Sequence, residues 1–517
     1  MKRRAFLTGA VALVAAPAFA ATRGFFDVRD FGARGDGITV DSPAINAAVK
    51  AANKAGGGTV VLTAGHYVSF SIRLLDHVTL LLAEGCVLEA ADPGLHRGAY
   101  DLPESDLEQQ FQDFGITQFH CSLIYADGAQ DVAVIGRGMI HGVGLLREDA
   151  GAHWHGVAGW HPGWSRKEDP KDMAMNGQGI RAIGFKSCRS VLVRDVTILQ
   201  GGHFACHLLG CTNVLVDSIT VDTDRDGIDI DCCRDVRVRD CIVNAPKDDA
   251  IVVKSSYGLN AKIVCENISI TGCKTSGYVM GSLLDGTYRV SDYRSVDDIG
   301  VLGRIKLGTE SNGGFRNILI DACTCDNTRG ILIGVVDGGV LEDVTVSNII
   351  LRNPVNHPLF VRQAARLRAP VGTTVGACRR ARFSDIEVSG ARMACGVQGI
   401  SDGIISDVSF SGVHVAYAGG GSATDAAIVP VEKREASLEV SFMRALPAYG
   451  FYGRQATGLV LRDCSFTVDN PDARPAVVLD RVTHSEIDGL RSSSAVDGAV
   501  RQLACDDVSI LAVRQAR

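Results

Sequence analysis

The chain is poor in aromatic residues, which make up 6% of its 517 residues, and it has only 3 tryptophans and 14 prolines. With 58 glycines alongside, this composition suits an all-β chain with many turns. An excess of positive charge is also missing. Lys and Arg number 52 against 59 Asp and Glu, for a formal charge of -7. Such a chain has no general pull on nucleic acid or anionic lipid, so a polyanionic ligand would have to be drawn in by local basic groups in a cleft. Long uncharged apolar runs are absent too. The run from Gly9 to Ala16 is too short to cross about 30 Å of hydrocarbon at about 1.5 Å per residue.

What stands at the N-terminus fits export instead. Lys2-Arg3-Arg4 precedes the apolar run, and Ala18-Phe19-Ala20 follows it as a cleavage site. Residues 1–20 are read as a twin-arginine-like signal peptide, with a periplasmic or extracellular mature protein and no membrane partner. Sixteen cysteines in an exported chain raise the question of a disulfide framework. Most, such as Cys188, Cys211, Cys233, Cys241 and Cys273, lie in or beside apolar strand-like runs. They are expected to be reduced core residues, with Cys323/Cys325 and Cys232/Cys233 as the candidates for pairing.

The strongest structural signal is a repeat. Val191-Leu192-Val193-Arg194-Asp195-Val196 returns as Val214–Ile219 after 23 residues and as Val236–Cys241 after another 22. Related phrases begin at Ile268, Ile318, Val344, Ile386, Val408 and Leu461. A period in this range with several short strands per repeat describes the coils of a right-handed parallel β-helix, in which each coil buries its apolar side chains against the next. A β-propeller would need blades of about 40 residues with hairpins. One domain over 25–517 is expected. Ahead of the coils, Ser42 as N-cap, Pro43 at the first helical position, and Ile45, Val49 and Ala52 at helical spacing predict a helix that caps the solenoid, stopped by Gly56-Gly57-Gly58. Two insertions, near 97–120 and 146–180, are read as groove walls. The second carries Trp154, Trp160 and Trp164, a candidate sugar-stacking wall.

Two successive coils end in acidic clusters. The first has Asp222, Asp224, Asp226, Asp229 and Asp231; the second has Asp248 and Asp249, and Asp226 precedes Asp248 by 22 residues. Stacked coils lie about 4.8 Å apart, so Asp226, Asp248 and Asp249 should converge on one face. Carboxyl groups that close cannot all ionise freely, and a protonated acid beside an ionised base is what glycosidic cleavage requires. The same cluster of oxygens is also what Ca²⁺ would take. Farther on, Arg304 and Lys306 share one face of a strand, suited to holding a sugar carboxylate.

Together Phe26–Gly37, Gly56–Thr59, Asp224–Asp229, Asp248-Asp249 and Arg304–Lys306 resemble glycoside hydrolase family 28, the polygalacturonase and rhamnogalacturonase group, from about residue 25 past residue 350. The resemblance implies inverting hydrolysis, with Asp248 as general acid and Asp226 and Asp249 positioning the water. It also implies that Arg304 and Lys306 grip a uronate, with His207 structural or cleft-lining. Two departures stand out. Asp224 replaces the family's Asn, and Lys274–Ser282 has no histidine where the family carries Gly-His-Gly. Tyr278 is the candidate replacement donor, and Glu310 is an extra acid expected to contact a sugar or pair with Lys306. The expected protein is a divergent, exo-acting, monomeric hydrolase of an acidic polysaccharide or oligosaccharide, without cofactor or metal. A β-helix polysaccharide lyase and a non-catalytic glycan-binding solenoid are the competing expectations.

Overall fold

The computed structural model describes residues 24–516 apart from 105–110, 112, 114, 147–176, 296–299, 441 and 444. The signal-like segment at 1–20 and the tryptophans at 154, 160 and 164 lie outside the described residues. From Phe25–Asp27 to Val513–Gln515 the chain is a succession of short strands, each paired in parallel with strands one coil before and one coil after. Three strands make a coil. Phe204–Leu209, Thr212–Asp217 and Thr220–Asp222 form one, and Asp226–Asp231, Arg234–Arg239 and Ile242–Asn244 form the next. The resulting solenoid is the expected parallel β-helix, and right-twisted strands favour right-handed winding.

The repeat read from the sequence is the inner row of one sheet. Val191, Val214, Val236, Ile268, Ile318 and Val344 are register partners in succession, all at most 2% exposed. One residue earlier in each coil the backbone turns with φ between 55° and 58°, at Asn213, Asp235, Asn267, Asn317 and Asp343. Asn and Asp tolerate this left-handed conformation best among residues with a Cβ. The stack is tied along the axis, since Asn317 Nδ2 donates to Asn267 Oδ1 at 2.8 Å and Asn267 Nδ2 to Asp235 Oδ1 at 2.9 Å.

Beyond Val344 the spacing slips. Val344 pairs with Ala381, whereas Ile386 pairs with Ile349 in the neighbouring sheet, and Leu461 pairs with Phe410 rather than Val408. The intervening coil carries the extra chain of 364–376, which lengthens the repeat without changing its pattern. The helix forms over Ser42–Lys54, with Pro43 in its first turn and Ile45, Val49 and Ala52 buried. Its N-cap is Asp41, not Ser42. The Asp41 carboxylate turns away from the helix and accepts from the amides of Arg34 and Gly35 at 2.8 and 3.0 Å. All sixteen cysteines are free thiols and fifteen are buried, including both pairs considered for bridging. Among the described residues no helix is long and apolar enough to cross a membrane.

Candidate active site

The acidic residues sit on the outer face of one sheet, at the corner where each coil enters it. Asp226 opens the strand Asp226–Asp231, and Asp248 and Asp249 lie in the turn just before Ile251–Ser255. The pairing of Ile228 with Ile251 sets Asp249, rather than Asp248, directly beside Asp226. The Asp249 amide donates both to Asp226 Oδ1 at 3.3 Å and to Asp248 Oδ1 at 3.0 Å. Carboxylate oxygens of all three lie within 4.8 Å of one another. Gly227 makes the approach possible. A Cβ there would meet the carbonyl oxygen of Ala250 and Cγ1 of Val243, each at 2.4 Å.

Four cations are threaded through the cluster. Arg304 Nε and Lys306 Nζ donate to the two oxygens of Asp249 at 2.6 and 2.9 Å. Arg225 pairs with Asp248 at 3.1 Å. Lys254 Nζ donates to Asp226 Oδ2 at 3.1 Å and to Asp229 Oδ2 at 2.5 Å. These contacts divide the carboxyl groups chemically. Burial and then the nearby Asp248 charge push the Asp226 carboxyl well above its ordinary range, with Lys254 opposing them. Burial would raise Asp249 as well, but Arg304 and Lys306 outweigh it and hold that carboxyl far below the usual range. Asp229, raised by burial against the pull of Lys254, titrates at about 7.

The other expected site residues are distributed differently. Arg304 and Lys306 do reach the cluster, but both point at Asp249, and Arg304 also donates to Glu439 at 2.8 Å. Glu310 does not meet Lys306; it pairs with Arg368 at 2.6 Å and Arg366 at 3.6 Å. Tyr278 stands apart from the aspartates. Its ring packs edge-on against Tyr288 at 5.7 Å, and burial and then the Asp326 charge raise its hydroxyl against the pull of Arg352. His207 is fully buried between Phe119 and Phe204, with centroids at 4.8 and 4.6 Å, and burial keeps its imidazole neutral.

Four functional candidates were not singled out from the sequence: Lys254, Arg225, Arg329 and Glu439. Lys254 had a signal, a lone cation in the apolar strand Ile251–Ser255 one coil after Asp229 and Asp231. Glu439 had none, being separated from Arg304 by 135 residues.

The floor is covered on both sides. Phe119 lies over Arg181 and beside His207 on the N-terminal side. On the C-terminal side the outward row continues from Lys306 through Leu332, Phe360 and, two coils on, Tyr452, all apolar and roofed by Leu438, Val440, Met443 and Leu446. Glu439 sits at the edge of that roof, accepting from Arg304 and, at 3.2 Å, from Arg329.

Comparison with known proteins agrees with this architecture. A family model described as a right handed beta helix region matches residues 173–286, and one described as rhamnogalacturonase A/epimerase, pectate lyase-like, matches residues 25–82. A probable polygalacturonase of Vitis vinifera is 25% identical over 343 residues, 62% of this chain and 60% of that protein. The chain is a right-handed β-helix protein similar to polygalacturonases. It spans about 60% of the length of that curated relative. The fold of this polygalacturonase-like chain is shared with two solved structures. A hyperthermoactive exopolygalacturonase of Thermotoga maritima has a TM-score of 0.56 at 20% identity, covering 76% of this chain and 87% of that one. A family 28 exopolygalacturonase of Yersinia enterocolitica has a TM-score of 0.57 at 15% identity, covering 94% and 78%.

Proposed function

We propose that the chain is a glycoside hydrolase that removes units from the end of a uronic-acid-containing, pectin-like polysaccharide or oligosaccharide. The observation that carries this reading is the division of labour among three carboxyl groups within 4.8 Å: Asp249 is held ionised by two cations, while burial and the neighbouring Asp248 charge push Asp226 toward its protonated form. A proton donor beside a fixed anion is what protonation of a leaving oxygen and activation of water require.

Asp248 is the general acid in this reading, because it is the most exposed of the three, at 23% against 9% for Asp226 and 2% for Asp249. Asp226 and Asp249 seat the water. Both Asp249 oxygens are engaged by cations, which suits it to orienting water and not to attacking a sugar carbon. The reading is displacement in one step, with inversion. The carboxyl groups are closer than the roughly 6.5–9.5 Å usual between acid and base in inverting enzymes, so the anomer of the first product is the deciding measurement. Exo-action is supported by the roof of Leu438, Val440, Met443 and Leu446 over Leu332 and Phe360, the residues that follow Lys306 in the outward row.

The experiment is to incubate the protein with a panel of uronic-acid polysaccharides and follow reducing ends, product mass and product anomer by NMR. Single terminal units released from the outset, as the inverted anomer, are expected. A random ladder of oligomers rejects exo-action, a retained anomer rejects single displacement, and no new reducing ends on any substrate rejects hydrolysis.

A further inference from the structure

The open part of the floor is shorter than the sheet that carries it. One coil before the acidic residues, the register partners of Asp226 and Asp229 are Phe204 and His207, and both are buried. The segment that covers them belongs to the first insertion. Phe119 packs on His207, and Gly115 lies so close to Phe204 that an added Cβ would meet its Cε2 at 2.8 Å. Arg181, one coil earlier, fixes that segment in place. It donates to the carbonyls of Gly115 and Gln118, and its guanidinium lies 4.2 Å from the Phe119 ring. On the other side, the register partner of Lys306 is Leu332, already under the roof of Leu438, Val440, Met443 and Leu446. Three coils remain between these walls, those of Asp226, Asp249 and Lys306.

A third wall closes the ends of the strands. Asp231, Ser255, Ser256 and Glu310 are buried there. Arg368 pairs with Glu310 at 2.6 Å and with Asp113 at 2.5 Å, so the excursion at 364–376 meets the first insertion. Asn312 holds this contact by donating to the Arg368 carbonyl at 3.0 Å. The fourth side differs. Side-chain exposure is 23% at Asp248 and 34% at Lys247, against at most 10% for Asp226, Asp229, Lys254, Asp249 and Lys306. Solvent reaches the floor from that corner.

We infer that the site is a dead-end pocket, entered across the strands from the corner at Asp248, and that it takes short uronic-acid oligosaccharides by about two units in place of a polymer laid along the solenoid. The dimensions set the limit. Three coils at about 4.8 Å leave about 14 Å between the axial walls, and the step from Asp226 to Asp229, at about 3.3 Å per residue, leaves about 10 Å between the corner and the strand-end wall. A pyranose unit advances a glycan chain by about one coil spacing. A third unit therefore lies outside the mouth, in water, where no wall touches it. A polymer along the axis would run into Phe119 on one side of the aspartates and Leu438 on the other. The inference rests on the hydrolase reading and adds to it the length of glycan that the site can hold.

The test is a series from digalacturonide to hexagalacturonide. In wild type kcat/KM should stay within about threefold across the series, because units beyond the mouth supply no binding energy to the transition state. Titration calorimetry of Asp248→Asn with the same series reads length dependence without turnover, and dissociation constants within about threefold of one another are expected. A larger rise in kcat/KM or in affinity from the dimer to the hexamer overturns the inference, and so does binding of none of them. Hydrolysis of none by wild type, with flat binding to Asp248→Asn, counts against the hydrolase reading alone and supports the pocket.

Discussion

Lys254 Nζ lies 3.1 Å from Asp226 Oδ2, and this buried ammonium is the closest opposite charge to a carboxyl that its surroundings otherwise drive toward protonation. Burial and the Asp248 charge hold that carboxyl toward its protonated form, and the Lys254 cation opposes both.

Replacing Lys254 with Met therefore has a signed consequence. Without the cation the ionised form of Asp226 is disfavoured further, so the acid limb of the kcat/KM profile, which requires Asp226 ionised to seat the water, should move to higher pH, by about one to three units. A profile that stays in place or moves to lower pH would separate Lys254 from the proton economy of the site.

Asp226→Asn, Asp248→Asn and Asp249→Asn should each lower kcat by at least the roughly 10²–10⁴-fold that acid–base catalysis contributes. The Asp249 substitution should also lower thermal stability, because it leaves Arg304 and Lys306, both at most 10% exposed, without their shared anion. Reducing-end assays alongside melting curves distinguish the two effects. A variant that keeps full activity takes its residue out of the mechanism.

How much of this could be read from sequence follows from range. The rows Val191–Val214–Val236 and the one-coil offset of Asp226 from the 248–249 pair were legible because the coil length is nearly constant there. Where a coil swells, as between Val344 and Ala381, the phrase at Ile386 was assigned to the wrong sheet. The N-cap was misplaced by one residue because Asp41 bonds backward to Arg34 and Gly35, a contact that helix-start patterns do not encode. Arg304 and Lys306 were rightly placed on one face, but their partner Asp249 depends on which side chain the turn at 245–250 points outward. Glu439 reaches the site only by a long excursion over the outside of the solenoid, and no spacing rule connects it to Arg304.

Calcium is disfavoured at the aspartate cluster by the charges already present. Arg225, Lys254, Arg304 and Lys306 each contact one of its three carboxylates, leaving little net negative charge for a divalent ion. Arg304 is also unsuited to act as the base of a lyase. Burial would favour its neutral form, but Asp249 and Glu439 more than compensate and keep the guanidinium charged. Activity should be unchanged by excess EDTA, and the products should lack the ultraviolet absorbance of a 4,5-unsaturated uronate. Loss of activity with EDTA that Ca²⁺ restores would reinstate the lyase.

The contact between coils can be tested apart from the acidic groups. Gly227 follows Asp226 and faces inward, where an added methyl would lie 2.4 Å from both the Ala250 carbonyl oxygen and Val243 Cγ1. Neither atom can yield cheaply: Val243 is fully buried in the core, and the Ala250 carbonyl accepts from the Ile228 amide at 2.9 Å. Gly227→Ala should therefore cost about 1–3 kcal/mol of stability, read by urea unfolding, and push the Asp226 coil away from that of Asp249. Because positioning errors of about 1 Å cost about 10²-fold in rate, kcat should fall even at temperatures where the variant is fully folded. A variant with wild-type stability and wild-type kcat would mean that the close packing of these two coils does not set the spacing of the carboxyl groups.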